Sequence, residues 1–409
     1  MAAMERLTGR TGMDEIRDYP ELRAAACPFS PPPGYEELRE RSAVTRVRMW
    51  DGSTPFLVTG YHEARTVLGD DRFSADGTHK AMPRFVKFEV PADVFNLGRM
   101  DDPEHARIRR MLTAHFTIRR TEAMRPMIQD IVDGLLDRLI AEGPPADLVA
   151  DFAFPLPSQV IAVMLGVSDA DFAEFQRASQ GVMDFTVSTE EMGAALGVMV
   201  DYVSRMCAAK RAAPGDDLLS RLIVDQERTG ALTQQQVVAT ALVLLLAGHE
   251  TTANMIALST VLLLRNPDQL ARLRADPGLM PNAVDELLRY ITIVQEGTGR
   301  VAIEDVEVGG VLIPAGEGVI INLPSANRDP HFAGAHELDL GRPNAREHIA
   351  FGFGVHQCLG QTLARVELQI ALETLVRRLP TLRLEVPFED LAFLYESMNF
   401  GVARVPVAW

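Results

Sequence analysis

The stretch from Gln234 to about Arg265 reads as a single helix, and no other segment limits the fold so tightly. Thr233 with Gln236 three residues on is a capping-box start, in which each side chain satisfies the other's backbone amide. At ~1.5 Å per residue such a helix is about 50 Å long, enough to cross the molecule, so the rest of the chain must pack around it. Its two apolar halves, Val237 to Ala247 and Met255 to Leu264, are split by Gly248-His249-Glu250-Thr251-Thr252. A neutral polar group buried there without a partner costs on the order of 2–7 kcal/mol, so the interruption needs a reason. His249-Glu250 opens an H-E-x-x-H zinc motif, but position 253 is alanine where the second histidine belongs. Thr251 and Thr252 could bond back to carbonyls one turn earlier, a purely structural use. The preferred reading is an acid and an alcohol, Glu250 and Thr251, held at a helix distortion and relaying protons to a ligand.

The segment Phe351-Gly352-Phe353-Gly354-Val355-His356-Gln357-Cys358-Leu359-Gly360 gives such a relay something to serve. It delivers one cysteine from a glycine-rich turn to the start of a helix, because Gln361 to Leu368 has apolar positions at helical spacing. The free amides and positive dipole end of that helix point at the sulfur and are expected to lower its pKa, as an iron–thiolate bond requires. Phe351 is placed to shield the sulfur from water. Two plainer readings compete. Gly352-x-Gly354 could open a dinucleotide loop, although Gln357 stands where the third glycine belongs, and cysteine is often simply a buried core residue.

Domain and compartment follow from what the chain lacks. Pro31-Pro32-Pro33 and Pro144-Pro145 are too short to act as spacers and no repeat is visible, so residues 1–409 are expected to form one domain. Cys27, Cys207 and Cys358 lie far apart without a C-x-x-C pair, which argues against a disulfide framework and a zinc knuckle. Met1 to Thr8 carries no continuous apolar h-region, and no uninterrupted apolar run approaches the ~20 residues of a membrane span. The expectation is a cytoplasmic protein without a membrane span. A net charge of −16 disfavours nucleic acid as a partner. Arg107-Ile108-Arg109-Arg110 with Arg119-Arg120 is a basic island, read first as a solvated helix face.

Elsewhere Ala43–Met49 and Pro55–Thr59 read as a hairpin turning at Asp51-Gly52, and Val301–Ile321 reads as strands turning at Gly309-Gly310 and Pro314-Ala315-Gly316. A helix is expected near Asp102-Pro103, with others over Arg120–Ala141, Pro157–Leu165, Ala170–Val182, Met192–Ala212, Leu218–Thr229 and Pro281–Tyr290. The fold class is mainly α with a minor β region.

Together these pieces resemble the cytochrome P-450 superfamily, in its soluble bacterial form, over essentially the whole chain. F-x-x-G-x-x-x-C-x-G is matched by Phe351, Gly354, Cys358 and Gly360; A-G-x-E-T-T by Ala247, Gly248, Glu250, Thr251 and Thr252; and E-x-x-R by Glu286 and Arg289. The resemblance implies a triangular helical prism holding haem b between the long helix and the helix after Cys358, with Cys358 as axial ligand of the iron. It implies His105, Arg109, Arg300 and His356 at the propionates, Ala247 and Phe351 against the haem, and Glu286–Arg289 paired with Arg328. Phe332 to Glu337 lacks a proline usual in the family, which leaves that loop's path open.

The implied activity is an NAD(P)H-driven monooxygenase using O2, with electrons passed through a ferredoxin reductase and ferredoxin. Thr251 would hold an ordered water and Glu250 would supply protons. A peroxygenase using hydrogen peroxide, a non-catalytic haem-thiolate sensor, and epoxidation or ring coupling by the same oxidant are the alternatives. The implied pocket draws on Ala81–Met100, Phe172–Met199, Leu244–Ala247, Ile291–Glu296 and Met398–Phe400. Its methionines, Met183, Met192, Met199 and Met398, suggest an adaptable wall for a bulky lipophilic substrate. Arg107 and Arg110 would then face the ferredoxin.

Overall fold

The helix Gln234–Arg265 forms without interruption, and Thr233 and Gln236 cap it reciprocally. In the computed structural model, which describes residues 16–85, 96–167, 178–179 and 188–409, every residue of this helix from Thr252 to Leu263 is buried. It is the one helix among the described residues long and apolar enough to cross a membrane, and its apolarity is accounted for by neighbours on all sides. Those neighbours are Pro155–Leu165, Thr189–Ala212, Met280–Ile291 and Gln361–Arg378. The expected distortion at the polar interruption is absent. Gly248 instead lets Pro155–Leu165 approach, since a Cβ there would sit 3.3 Å from the Ile161 side chain.

The β structure is built from both ends of the chain. Val44–Arg48 and Phe56–Val58 pair antiparallel as expected, with Val44 opposite Val58. Phe56–Val58 then runs parallel to Gly318–Ile321, which pairs antiparallel with Thr298–Ala302. With Arg17–Asp18 and Phe73–Ser74 at its edges, this makes a six-stranded sheet. Val306–Val308 and Val311–Ile313 form a separate hairpin turning at Gly309-Gly310, both at positive φ. Arg383–Leu384, Pro406–Ala408 and Ala146–Asp147 form a third small sheet.

Several helices differ from expectation. The segment read as 120–141 is two helices, Ile118–Ala123 and Arg125–Glu142, because Pro126 has no amide to continue the first and sits in the opening turn of the second. The segment read as 218–229 begins as α-helix, Leu218–Arg221, and widens to a π-turn over Leu222–Glu227. Helices Pro33–Arg41, Tyr61–Gly69 and Pro267–Ala275 were not expected from sequence; the first and last carry proline in the opening turn, where its missing amide costs nothing. The helix expected over 170–182 lies almost wholly outside the described residues.

Behind the cysteine loop, the fully buried Glu286 carboxylate accepts from Arg289 at 2.7 and 2.8 Å and from Arg342 at 3.0 and 3.1 Å. The expected partner, Arg328, does not bond to Glu286. It stacks on the Tyr290 ring at 3.6 Å and donates to the carbonyls of Phe29, Tyr290 and Ala335. Arg342 displaces it because its remaining nitrogens satisfy the carbonyls of Ala333, Gly334 and Glu337, which fixes the path of the loop that departs from the family pattern.

Candidate active site

The cysteine loop is shaped by two glycines at positive φ, Gly352 at 73° and Gly354 at 72°. At Gly354 a Cβ would lie 2.3 Å from the Leu68 carbonyl oxygen, so no other residue fits that turn. The loop closes when the Cys358 amide donates to the Phe351 carbonyl at 2.8 Å, and the helix Gln361–Arg378 starts after Gly360. Amides of Gly360 and Gln361 point at the sulfur as expected, but the net effect on the thiol is the reverse of the expected one. Burial raises its pKa by more than those amides, Arg109 and Arg365 lower it.

Cys358 opens into two adjoining chambers of about 310 and 280 Å³, both also lined by Ala247, Thr251, Thr252, Phe351 and His356. The first is bounded by Thr292, Ile293, Val294 and Arg300, the second by Arg109, Leu112, Phe116, Leu244 and Glu367. Thus the central helix and the cysteine loop, more than a hundred residues apart in sequence, face one another across a single space.

Neither guanidinium group around this space, Arg109 or Arg300, has a carboxylate partner among the described residues. Arg300 is buried, donates to the Gly299 carbonyl at 2.7 Å, and has its pKa lowered to about 10 by burial. Arg109, half-buried, donates to the Gln357 carbonyl at 2.5 Å. His105 lies one turn before Arg109 on Glu104–Thr113, with its ring 4.0 Å from that of His356. Its Nδ1 meets Asp102 at 3.1 Å, whereas its Nε2 and the Nδ1 of His356 are buried without a protein partner among the described residues. Burial, reinforced by Arg300 and His105, lowers the His356 pKa to about 4. Two guanidinium groups and two unpartnered imidazole nitrogens beside a cavity call for an anionic ligand. The two propionates of haem b, with its iron at Cys358, suit that donor set.

On the central helix, Thr251 Oγ1 donates to the Ala247 carbonyl at 2.8 Å, so the back-bonded geometry and a place on the chamber wall coexist. Glu250 is buried with Oε2 unpartnered among the described residues, and burial raises its pKa to about 7. It lines neither chamber. His249 is structural: Nδ1 contacts the Leu245 carbonyl at 2.5 Å, Nε2 contacts Ser179 at 2.9 Å, and burial lowers its pKa to about 4.

Other expectations are adjusted. Leu244, Ala247 and the 292–294 segment line the chambers, as do Asn96 to Gly98 at the end of the first expected loop. Phe172 and Met183 lie outside the described residues. Met192 is buried, Met199 belongs to the hydrophobic core, and Met255 is the one methionine on a chamber wall among the described residues. Met398–Phe400 lines neither chamber and supports the wall from behind, the Phe400 amide donating to Ile293 at 2.7 Å. Arg107 is tied to Glu104 at 2.5 Å and to the Ala231 carbonyl at 2.7 Å, whereas Arg110 is exposed. Glu367 was missed. It is a buried carboxyl on the second chamber, held near pKa 8 by burial, and its only sequence signal was an acid in the apolar register of the cysteine helix.

A mainly α fold with a cysteine facing an anion-seeking cavity defines a haem-binding oxidoreductase. The cytochrome P450 family model matches residues 195–277 and 278–405. The chain is 50% identical over 403 residues to cytochrome P450-SU2 of Streptomyces griseolus, covering 98% of this chain and 99% of that one. The crystal structure of mycinamicin VIII C21 methyl hydroxylase from Micromonospora griseorubida, bound to mycinamicin VIII, superposes with a TM-score of 0.91 at 40% identity, covering 96% of this chain and all of that one. That of CYP105P1 in complex with filipin I gives 0.90 at 44% identity, covering 97% and 99%. The chain belongs to the cytochrome P450 family of soluble bacterial monooxygenases, and its cofactor is haem b.

Proposed function

We propose that this P450 inserts one atom of O2 into a C–H bond of a bulky lipophilic small molecule, with electrons from NAD(P)H delivered by a ferredoxin and its reductase. The observation that carries the reading is that Cys358 and Thr251, on elements distant in sequence, line the same chambers. Bound at Cys358, haem b supplies the oxygen activation and the oxidising power.

The chain's own residues do the rest. Cys358 would ligate the iron and donate charge to it; His105, Arg109, Arg300 and His356 would hold the propionates; Ala247 and Phe351 would pack against the macrocycle. Thr251 commits its hydroxyl hydrogen to Ala247 and keeps its lone pairs for a water in the chamber, which fixes where a proton can be delivered. Glu250, next to Thr251 on the helix but off the chamber wall and with a pKa near neutrality, takes up protons and passes them by side-chain rotation or through water. Arg110 lies on the face offered to the ferredoxin. Residues 1–409 act as one domain, a reading supported by the largest of the three hydrophobic clusters among the described residues, which draws on residues from Phe29 to Val407. An exposed free thiol at Cys27 suits a reducing, cytoplasmic location.

The substrate class follows from the wall chemistry and from the ligands of two similar proteins, filipin I and mycinamicin VIII. Leu68, Met255, Leu288, Ile293 and Val294 are among the apolar residues that line the first chamber. Apolar contact at ~25 cal/mol per Å² favours ligands large enough to cover such a surface. Titrating a size series at matched lipophilicity, followed by the low-spin to high-spin shift, is expected to give the lowest dissociation constant for macrolide- or steroid-sized compounds. Tightest binding by a monoterpene-sized compound would overturn the bulky-substrate reading.

A further inference from the structure

Thr292 is the only non-glycine residue at positive φ among the described residues, with φ 37° and ψ 84°. A β-branched side chain is poorly suited to that region, so surrounding contacts must hold it there. They are unusually complete. Its Oγ1 donates to the Arg289 carbonyl at 2.8 Å and accepts from Asn327 Nδ2 at 2.9 Å. Its amide donates to the Leu288 carbonyl at 3.1 Å. Its carbonyl accepts from Arg23 at 2.9 Å, and the same guanidinium nitrogen reaches the Ile291 carbonyl at 3.1 Å. Glycine would adopt this φ freely but would lose every Oγ1 bond, including the 3.1 Å contact to the Leu288 carbonyl.

The turn ends the helix Met280–Ile291 and aims the next residues into the first chamber, where Thr292, Ile293 and Val294 form consecutive wall. The wall is pinned from both sides. Arg23, buried and 4.4 Å from the centre of the Phe400 ring, holds the carbonyls at its start. Phe400 bonds to Ile293, Val294 bridges to Asn399, and Gln295 donates to the carbonyls of Tyr395 and Ser397. We infer that Thr292 is a positioning residue for substrate orientation: its strained, hydroxyl-anchored turn sets the angle at which Ile293 and Val294 meet a ligand. This rests on reading the first chamber as the ligand side of the haem site.

The test uses the ferric holoenzyme and two isomeric probes, 1-phenylimidazole and 4-phenylimidazole, whose nitrogen binds the iron while the phenyl group meets the wall in different directions. The ratio of their dissociation constants, read from the Soret shift, reports wall geometry without turnover. Thr292→Gly and Thr292→Val are expected to change that ratio at least threefold, and Thr292→Ser, which keeps Oγ1, to retain the wild-type ratio. Thermal midpoints are measured alongside. If Thr292→Gly keeps the ratio while its thermal midpoint falls, Thr292 is a structural residue only and the inference is overturned. If neither probe shifts the wild-type Soret band, the reading of the chamber itself fails, and the inference with it.

Discussion

Replacing Arg342 by alanine should destabilise the protein far more than its position outside the three motifs matched in the sequence suggests. Arg342 is buried, gives Glu286 two of its hydrogen bonds, and satisfies the carbonyls of Ala333, Gly334 and Glu337. Removing one partner of a buried, bonded charge pair costs about 3–5 kcal/mol, because the remaining charge is left without compensation. Arg289 still holds Glu286 in the variant, which favours the lower half of that range. At ~2 °C per kcal/mol for a large chain, the thermal midpoint should drop by roughly 6–8 °C. A double-mutant cycle isolates the pair: Glu286→Gln with Arg342→Met, measured by equilibrium urea unfolding of the holoprotein, should give a coupling energy of about 1.5–3 kcal/mol. The parallel cycle with Arg328→Met should give less, about 0.5 kcal/mol, because Arg328 donates to carbonyls and not to Glu286. Equal coupling in the two cycles would refute the assignment of Arg342 as the second arginine of the cluster.

Thr251→Ala should leave haem content and oxygen uptake largely intact while product formed per NAD(P)H consumed falls and hydrogen peroxide rises; unchanged coupling would remove Thr251 from proton delivery. Glu250, Glu296 and Glu367 have pKa values raised by burial to about 7, 8 and 8. The stability they contribute is therefore fully present below the unfolded carboxyl pKa and is lost as pH rises through 7 to 8. Glu367→Gln should lessen the loss of urea resistance between pH 6 and 8 by about 2 kcal/mol, and a pH slope identical to wild type would contradict that protonation state.

The parts of this site legible in the sequence were those where a local pattern and a chemical need coincide. The capping box at Thr233, the hydrophobic halves of Gln234–Arg265 and the glycines before Cys358 each fix local backbone, and the structure keeps all three. What failed depends on balances the sequence does not display. The Cys358 thiol has helix amides beside it, yet burial outweighs them, and the extent of burial is set by chain segments far away. Arg342 lies 56 residues from Glu286, and no spacing rule links them. Met199, which looked like pocket wall, was drawn into the core, since helical periodicity reports a buried face without saying what covers it. Thr292 gave no signal, because only glycine advertises positive φ in a sequence.

The central claim is that Cys358, as thiolate, is the axial ligand of the haem iron in the cavity it shares with Thr251. The direct measurement is the reduced, carbon monoxide-bound absorption spectrum of the wild type and of Cys358→His. The wild type should show the strongly red-shifted Soret band from which the family takes its name, and the histidine variant should bind haem yet lose that band. A histidine variant that keeps the red-shifted band would contradict the account.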